Sequence, residues 1–241
     1  MLSLHLMSQR LPSALTLVLL GAPLIGCGVS AAAEEISQKM VQLDTRSNLA
    51  VKPMPYRNPH RNPKKQLAAI TAAVAGMLLL AALALGLQSL LLYAVLFGIV
   101  LVLLAAVDTK TGYLPDVLTM PLMGAGLVVN YFHFFASFTD ACLGAAMGYF
   151  VIAASNFLHQ RFRRQSVFGG GDAKMLAAIG AWVGYNAVVF VSALALIGPF
   201  VLTFSHFVRN RHARISTEMR PAPFGPWLAA AGVAVMFLSS I

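Results

Sequence analysis

Apolar residues in this chain are gathered into long stretches separated by short polar intervals. The first stretch runs from about Leu11 to Ala33. Others follow at about 67–87, 89–107, 117–135, 140–158, 173–184 and 186–208, and a last one runs from 225 to the end. Several approach the ~20 residues a helix needs to cross a bilayer. The pattern predicts an all-α chain, a polytopic membrane helix bundle. The stretch at 173–184 is short enough to belong to a re-entrant turn. Two Gly-x-x-x-Gly patterns, Gly144–Gly148 and Gly180–Gly184, predict places where helix backbones approach closely.

The polar intervals give the expected organisation. Residues 1–33 form an N-terminal apolar segment, expected to be a first transmembrane helix. Residues 34–66 form a polar, basic linker ending in the proline-rich KPMPYRNPHRNPKK, which has no apolar periodicity. Residues 67–241 form a membrane domain of about six or seven helices. Basic residues concentrate at Lys52–Lys65, Arg161–Arg164 and Arg209–Arg220. Lys and Arg in short loops mark the cytoplasmic side, and even numbers of spans separate the three loops. The interval 108–116 then falls on that side too. Two alternatives stay open for the first stretch. Arg10 ahead of it and small residues behind suit a secretory signal, and Leu24-Ile25-Gly26-Cys27 looks like a lipoprotein cleavage box. A retained helix is favoured, because a cleaved signal would deliver the basic linker to the opposite side.

Composition agrees with this reading. The 241 residues are 59% hydrophobic and 10% charged, which excludes an ordinary soluble domain. The net charge of +9 sits in the loops with no nucleic-acid-binding motif beside it, so no nucleic-acid partner is expected; the lipid bilayer is. Cys27 and Cys142 have no CxxC partners and are expected to be free, buried thiols. No metal-ligand histidine cluster, HExxH or GxSxG occurs. Neither metal nor cofactor is predicted. His133 and His206 read as interfacial.

The acids carry the candidate chemistry. From Leu67 to Ile241 there are five: Asp108, Asp116, Asp140, Asp172 and Glu218. Asp108 closes an apolar run and Asp172 follows a glycine triplet at the head of another. An acid beside hydrocarbon is costly and usually marks a cavity, a partner or a function. Two carboxylates sharing one proton can activate water and protonate a carbonyl oxygen. Asp172 also fits a helix N-cap freed to turn by Gly171. Asp108 resists such a reading, because a helix C-terminus disfavours negative charge. On that ground the shared proton is expected on Asp108, with Asp172 acting as base.

Three ordered segments carry a resemblance. Asp108-Thr-Lys-Thr-Gly-Tyr-Leu-Pro115-Asp116, Gly169-Gly-Gly-Asp172-Ala-Lys174 and Pro223-Phe-Gly-Pro226 together resemble the type IV prepilin peptidases, GxGD-type intramembrane aspartic proteases. The resemblance implies a bacterial inner-membrane, multi-pass endopeptidase with its site toward the cytoplasm. Such an enzyme removes short basic leaders from type IV prepilins or pseudopilins, for pilus assembly or type II secretion. It implies Asp108 and Asp172 as the catalytic pair, with Gly169, Gly171, Lys174, Asp116 and Pro115 in support. The paired CxxC motifs of family members that also N-methylate their product are missing, so methyl transfer is not expected. The competing classes are a proton-coupled membrane transporter and a non-catalytic pilus assembly factor. A transporter would favour acids at mid-membrane in matched halves; here they lie at one face and the halves do not match.

Overall fold

The computed structural model describes residues 22–40, 42, 72, 89–163, 169–209 and 224–238. Among them all regular structure is helical. In chain order the helices are α1 (22–40), α2 (Ser89–Thr111), α3 (Asp116–Tyr131), α4 (Phe138–Arg163), α5 (Gly170–Val183), α6 (Tyr185–Arg209) and α7 (Gly225–Leu238). The run expected at 67–87 and most of the linker lie outside the described residues.

Helix α5 is the centre. Ten of its fourteen residues are buried, and α3, α4, α6 and α7 all pack on it. At 1.5 Å per residue it is about 21 Å long, well short of the ~30 Å hydrocarbon layer. It is therefore stabilised by neighbouring helices, and its short apolar stretch follows from that. The glycines make the closest approach possible. A Cβ at Gly144 of α4 would collide with the Gly180 carbonyl of α5, and one at Gly148 would lie 2.5 Å from the Leu176 oxygen. The Gly-x-x-x-Gly expectation is met directly: α4 lies backbone to backbone on α5.

Trp182 and Asn130 lock the α3–α5 seam. The indole Nε1 of Trp182 donates to the Leu122 carbonyl at 2.8 Å, and Gly126 leaves room for the ring. Asn130 is fully buried. Its amide nitrogen donates to the Ala181 and Trp182 carbonyls, and its oxygen accepts from Phe135 and Ala136 N–H. Four bonds satisfy every polar position of that side chain. Helix α3 ends at Tyr131, four residues before the apolar run stops: Phe132 and His133 N–H donate back to the Val129 and Asn130 carbonyls, and His133 takes the left-handed region at φ 58°.

Successive helices α2 to α7 reverse direction, which sorts the connections to two ends. One end carries exposed aromatic residues at the α3–α4 turn: Tyr131, Phe132, Phe134 and Phe138. The other carries the ends of α2, α4 and α6 and the starts of α3, α5 and α7. Large apolar side chains also cover the outer faces of α4 and α6, among them Phe150, Phe157, Phe190 and Phe200. A soluble surface rarely exposes so much apolar area. Helices α2 and α4 contain segments, Leu92–Thr111 and Phe138–Phe162, long and apolar enough to cross a membrane.

Three expectations change in detail. Helix α1 continues past Ala33 to residue 40, because its buried stripe of Ala22, Val29, Ala33 and Ser37 continues at helical spacing and Glu35 pairs with Lys39 one turn on. Helix α2 runs to Thr111 rather than ending before Asp108. The cysteines are free, but both are exposed rather than buried. Each lies off its helix's packed stripe, beside buried Gly26 and Ala141 respectively.

If the α4–α5 backbone contact organises the bundle, Gly144→Val should be among its most damaging apolar substitutions. The added atoms meet an immobile carbonyl, so the loss should reach about 1–3 kcal/mol or more. Gly124→Val, where nothing lies within 4 Å of an added Cβ, is the control. Thermal unfolding of the detergent-solubilised protein compares them.

Candidate active site

The site lies at the end opposite the aromatic turn, where three segments converge. The first is the last turn of α2 and the connection after it. Asp108 sits within that turn, and its carbonyl accepts the Gly112 N–H at 2.7 Å. Gly112 has φ 70°, so the chain reverses at once. Thr111 steadies the reversal by donating to the Val107 carbonyl and accepting from Tyr113 N–H. Leu114 turns inward and is buried. Pro115 starts α3 as its N-cap, its carbonyl accepting from Leu118 and Thr119 N–H.

The second segment is the glycine triplet. Gly169 is the N-cap of α5, and Asp172 is three residues on, in the first turn. The Asp172 Oδ2 accepts the Gly169 N–H at 2.9 Å. The expected capping role of Asp172 is therefore real, but by the reciprocal bond of a capping box rather than as the N-cap itself. Gly171 has a packing reason: a Cβ there would sit 2.8 Å from the Leu114 Cβ. The α2–α3 connection thus lies directly on the glycine triplet.

The third segment is the start of α7. The Gly225 N–H donates to Asp108 Oδ2 at 2.9 Å, and a Cβ on Gly225 would lie 2.7 Å from that oxygen. Only glycine lets the backbone come so near. This overturns the expected asymmetry between the acids. The Asp108 backbone is in a helix C-terminal turn, yet its carboxylate faces the N-terminus of another helix, where the dipole favours negative charge. Both carboxylates now accept one N–H at a helix start. The dipole no longer separates a base from an acid.

Asp108 and Asp172 are 5% and 7% exposed, the only charged side chains buried among the described residues. They interact electrostatically. The other supporting residues are placed as follows. Lys174 Nζ binds both carboxylate oxygens of Asp116 at 2.7 Å. Lys110, two residues after Asp108, pairs with Glu34 of α1 at 2.7 Å. Neither lysine bonds to Asp108 or Asp172. Asp140 is remote, in the first turn of α4 at the aromatic end. Gly225 was not singled out as a site residue. Its signal was the Pro-Phe-Gly-Pro segment, whose function as a donor appears only when α7 folds back on α2.

Residues 94–205 match the type IV leader peptidase family. That segment is a type IV leader peptidase domain. It contains Asp108, Pro115, Asp116, Gly169, Gly171, Asp172 and Lys174, whereas Gly225 lies beyond it. Curated relatives named prepilin leader peptidase/N-methyltransferase are similar to part of this chain. The one from Burkholderia pseudomallei (strain 1026b) is 40% identical over 146 residues, covering 60% of this chain and 46% of its own length. That of Aeromonas hydrophila is 39% identical over 152 residues, 62% of this chain and 51% of its own. That of Pseudomonas aeruginosa is 37% identical over 137 residues, 55% and 44%. The chain thus spans about half the length of the curated relatives it matches. A comparison with solved structures finds no significant match.

The glycine triplet of the leader peptidase domain allows a sharp contrast. A Cβ on Gly170 meets nothing within 4 Å, whereas one on Gly171 meets Leu114. Gly170→Ala should change unfolding by less than about 0.5 kcal/mol. Gly171→Ala should cost about 1–3 kcal/mol, read by thermal unfolding in the same detergent. Equal effects would show that the connection does not rest on Gly171.

Proposed function

We propose that this protein is a membrane aspartic endopeptidase that cleaves the short basic leader from type IV prepilins or pseudopilins at the cytoplasmic membrane face. The observation that carries the reading is the buried pair, Asp108 and Asp172, brought from separate helices to one end of the bundle. Two like charges withdrawn from water do not both ionise readily, so the pair holds one proton between them. The ionised carboxylate takes a proton from water as its oxygen attacks the scissile carbonyl. The protonated one gives its proton to the carbonyl oxygen. In the collapse, one hydroxyl of the tetrahedral diol gives its proton to the ionised carboxylate while the other carboxyl protonates the nitrogen; the C–N bond breaks, the amine leaves, and the pair again holds one proton. Because the dyad titrates as a unit, the proposal assigns the two roles to the pair and not to individual residues.

The membrane arrangement belongs to the same proposal. Helices α2 to α7 cross or enter the bilayer of the inner membrane, in multiple passes, with the aspartate end toward the cytoplasm. Support comes from the apolar outer faces of α4 and α6 and from Arg161, Arg163 and Arg209 at the helix ends on the aspartate side. The reading of the first apolar segment as a retained helix draws support from its described part, since α1 packs its buried stripe into the common core and joins α2 through Glu34 and Lys110. The relatives' printed name includes N-methyltransferase. The reading for this chain is cleavage without methyl transfer, as its sequence carries no paired CxxC motif.

Asp108→Asn and Asp172→Asn should each abolish conversion of a prepilin to its shortened form, with the variants still membrane-inserted; Asp116→Asn should retain measurable turnover. Substantial cleavage by either dyad variant would reject the assignment. Orientation is checked separately. In a Cys27→Ser, Cys142→Ser background, cysteines at Asn58 and Asn210 should resist a membrane-impermeant thiol reagent in intact cells and react after lysis. Labelling from outside would place the aspartates on the other face.

A further inference from the structure

The ion pair between Asp116 and Lys174 has no part in the proton transfers above, yet it spans the site. Asp116 is the first residue of α3 and Lys174 lies in the first turn of α5, two residues after Asp172. The pair is bidentate, with both nitrogen–oxygen distances 2.7 Å. Between its ends and Asp108 lies one short connection, Gly112-Tyr-Leu-Pro115, whose Leu114 rests on Gly171. The Lys174 side chain is 33% exposed and that of Asp116 57%. Ion pairs in such positions add little to stability. The geometry of this pair still has a consequence. It joins the segment that carries Asp108 to the turn that carries Asp172, outside the buried pair itself.

Lysine two residues from Asp172 projects to another side of α5, since positions two apart on a helix do not face each other. It therefore reaches the neighbouring helix rather than its own aspartate. Asp116 stands at the first position of α3, where the helix dipole favours an acidic side chain. Leu114 is buried in the core beside Gly171 and Thr111 bonds to Tyr113, but these contacts give the connection no directional bond to α5. A two-point polar lock two residues later supplies one.

We propose that Asp116 and Lys174 are positioning residues, a clamp that holds the α2–α3 connection on the glycine triplet and so fixes the distance between Asp108 and Asp172. The clamp rests on the dyad reading for its effect on catalysis, but not for its effect on the connection.

Two measurements test it. The first is kinetic, on a detergent-solubilised full chain with a prepilin substrate. Asp116→Asn and Lys174→Gln should each lower kcat by roughly tenfold, less than the ~100-fold that a full ångström of misplacement costs. KM should hardly move, and the melting temperature should shift by no more than about 3 °C. The double variant should be no worse than either single, since both remove one interaction. Lys174→Arg, which keeps a bidentate pair, should retain the parent kcat. A rise in KM at constant kcat would make Asp116 a substrate contact instead and overturn the clamp. So would fully additive losses in the double variant.

The second measurement needs no activity. In the Cys27→Ser, Cys142→Ser background, Leu114→Cys should react slowly with a small thiol reagent and several-fold faster when Asp116→Asn is added. Unchanged reactivity would overturn the proposal. If the parent chain cleaves no prepilin, the peptidase reading fails, while the labelling result still decides the clamp.

Discussion

Burying a carboxylate against hydrocarbon is costly unless hydrogen bonds or a shared proton compensate, and this bundle buries two. Each receives one backbone N–H from the start of a helix: Gly169 for Asp172, Gly225 for Asp108. Helix starts carry unpaired donors and a favourable dipole, so they are the cheapest available partners in an apolar fold. The Asp172 donor comes from the start of its own helix, whereas the Asp108 donor requires α7 to begin beside the last turn of α2. Helix α5 is short, and a short helix must be enclosed by others.

Glycine is how that enclosure is achieved. The α4–α5 contact at Gly144, Gly148 and Gly180 brings backbones together with no side chain between. Gly171 lets the α2–α3 connection lie on the triplet, and Gly225 lets a helix start touch a carboxylate oxygen. These are three distinct uses of one residue. The first packs a scaffold, the second seats a loop, and the third exposes a donor. The opposite end is held by larger side chains, with Trp182 stacked near Phe97 at 4.9 Å and hydrogen-bonded to α3. Rigidity at the aromatic end and backbone proximity at the acidic end together hold the aspartates on fixed supports.

Two lysines follow the two aspartates at the same spacing, Lys110 after Asp108 and Lys174 after Asp172. Each is engaged by an acid outside the pair, Glu34 or Asp116. The arrangement keeps formal positive charge near the site without giving either aspartate an ion-pair partner. A lysine bonded to the pair would hold both carboxylates ionised and leave no proton to share. The lysines at this end thus serve attachment between helices, apart from the two buried acids.

Much was legible in the sequence because hydrocarbon tolerates so few polar residues. Long apolar runs specified helices, Gly-x-x-x-Gly specified close packing, and isolated acids beside apolar runs stood out. Helix ends were less legible. The apolar run does not stop at Tyr131; the helix does, and the Asn130 side chain then holds the turned chain by accepting from Phe135 and Ala136 N–H, a partnership that forms only in three dimensions. The alignment of Asp108 with a helix C-terminus was correct for its backbone and misleading for its carboxylate, because a side chain responds to whichever dipole lies nearest in space. The sequence by itself determined that the chain is helical, apolar and centred on two aspartates. Only the tertiary structure decided that α7 donates to Asp108, that Asp116 belongs to Lys174 and that the cysteines face outward. Those outcomes depend on which helices pack together, and local sequence carries no term for a neighbour fifty or a hundred residues away.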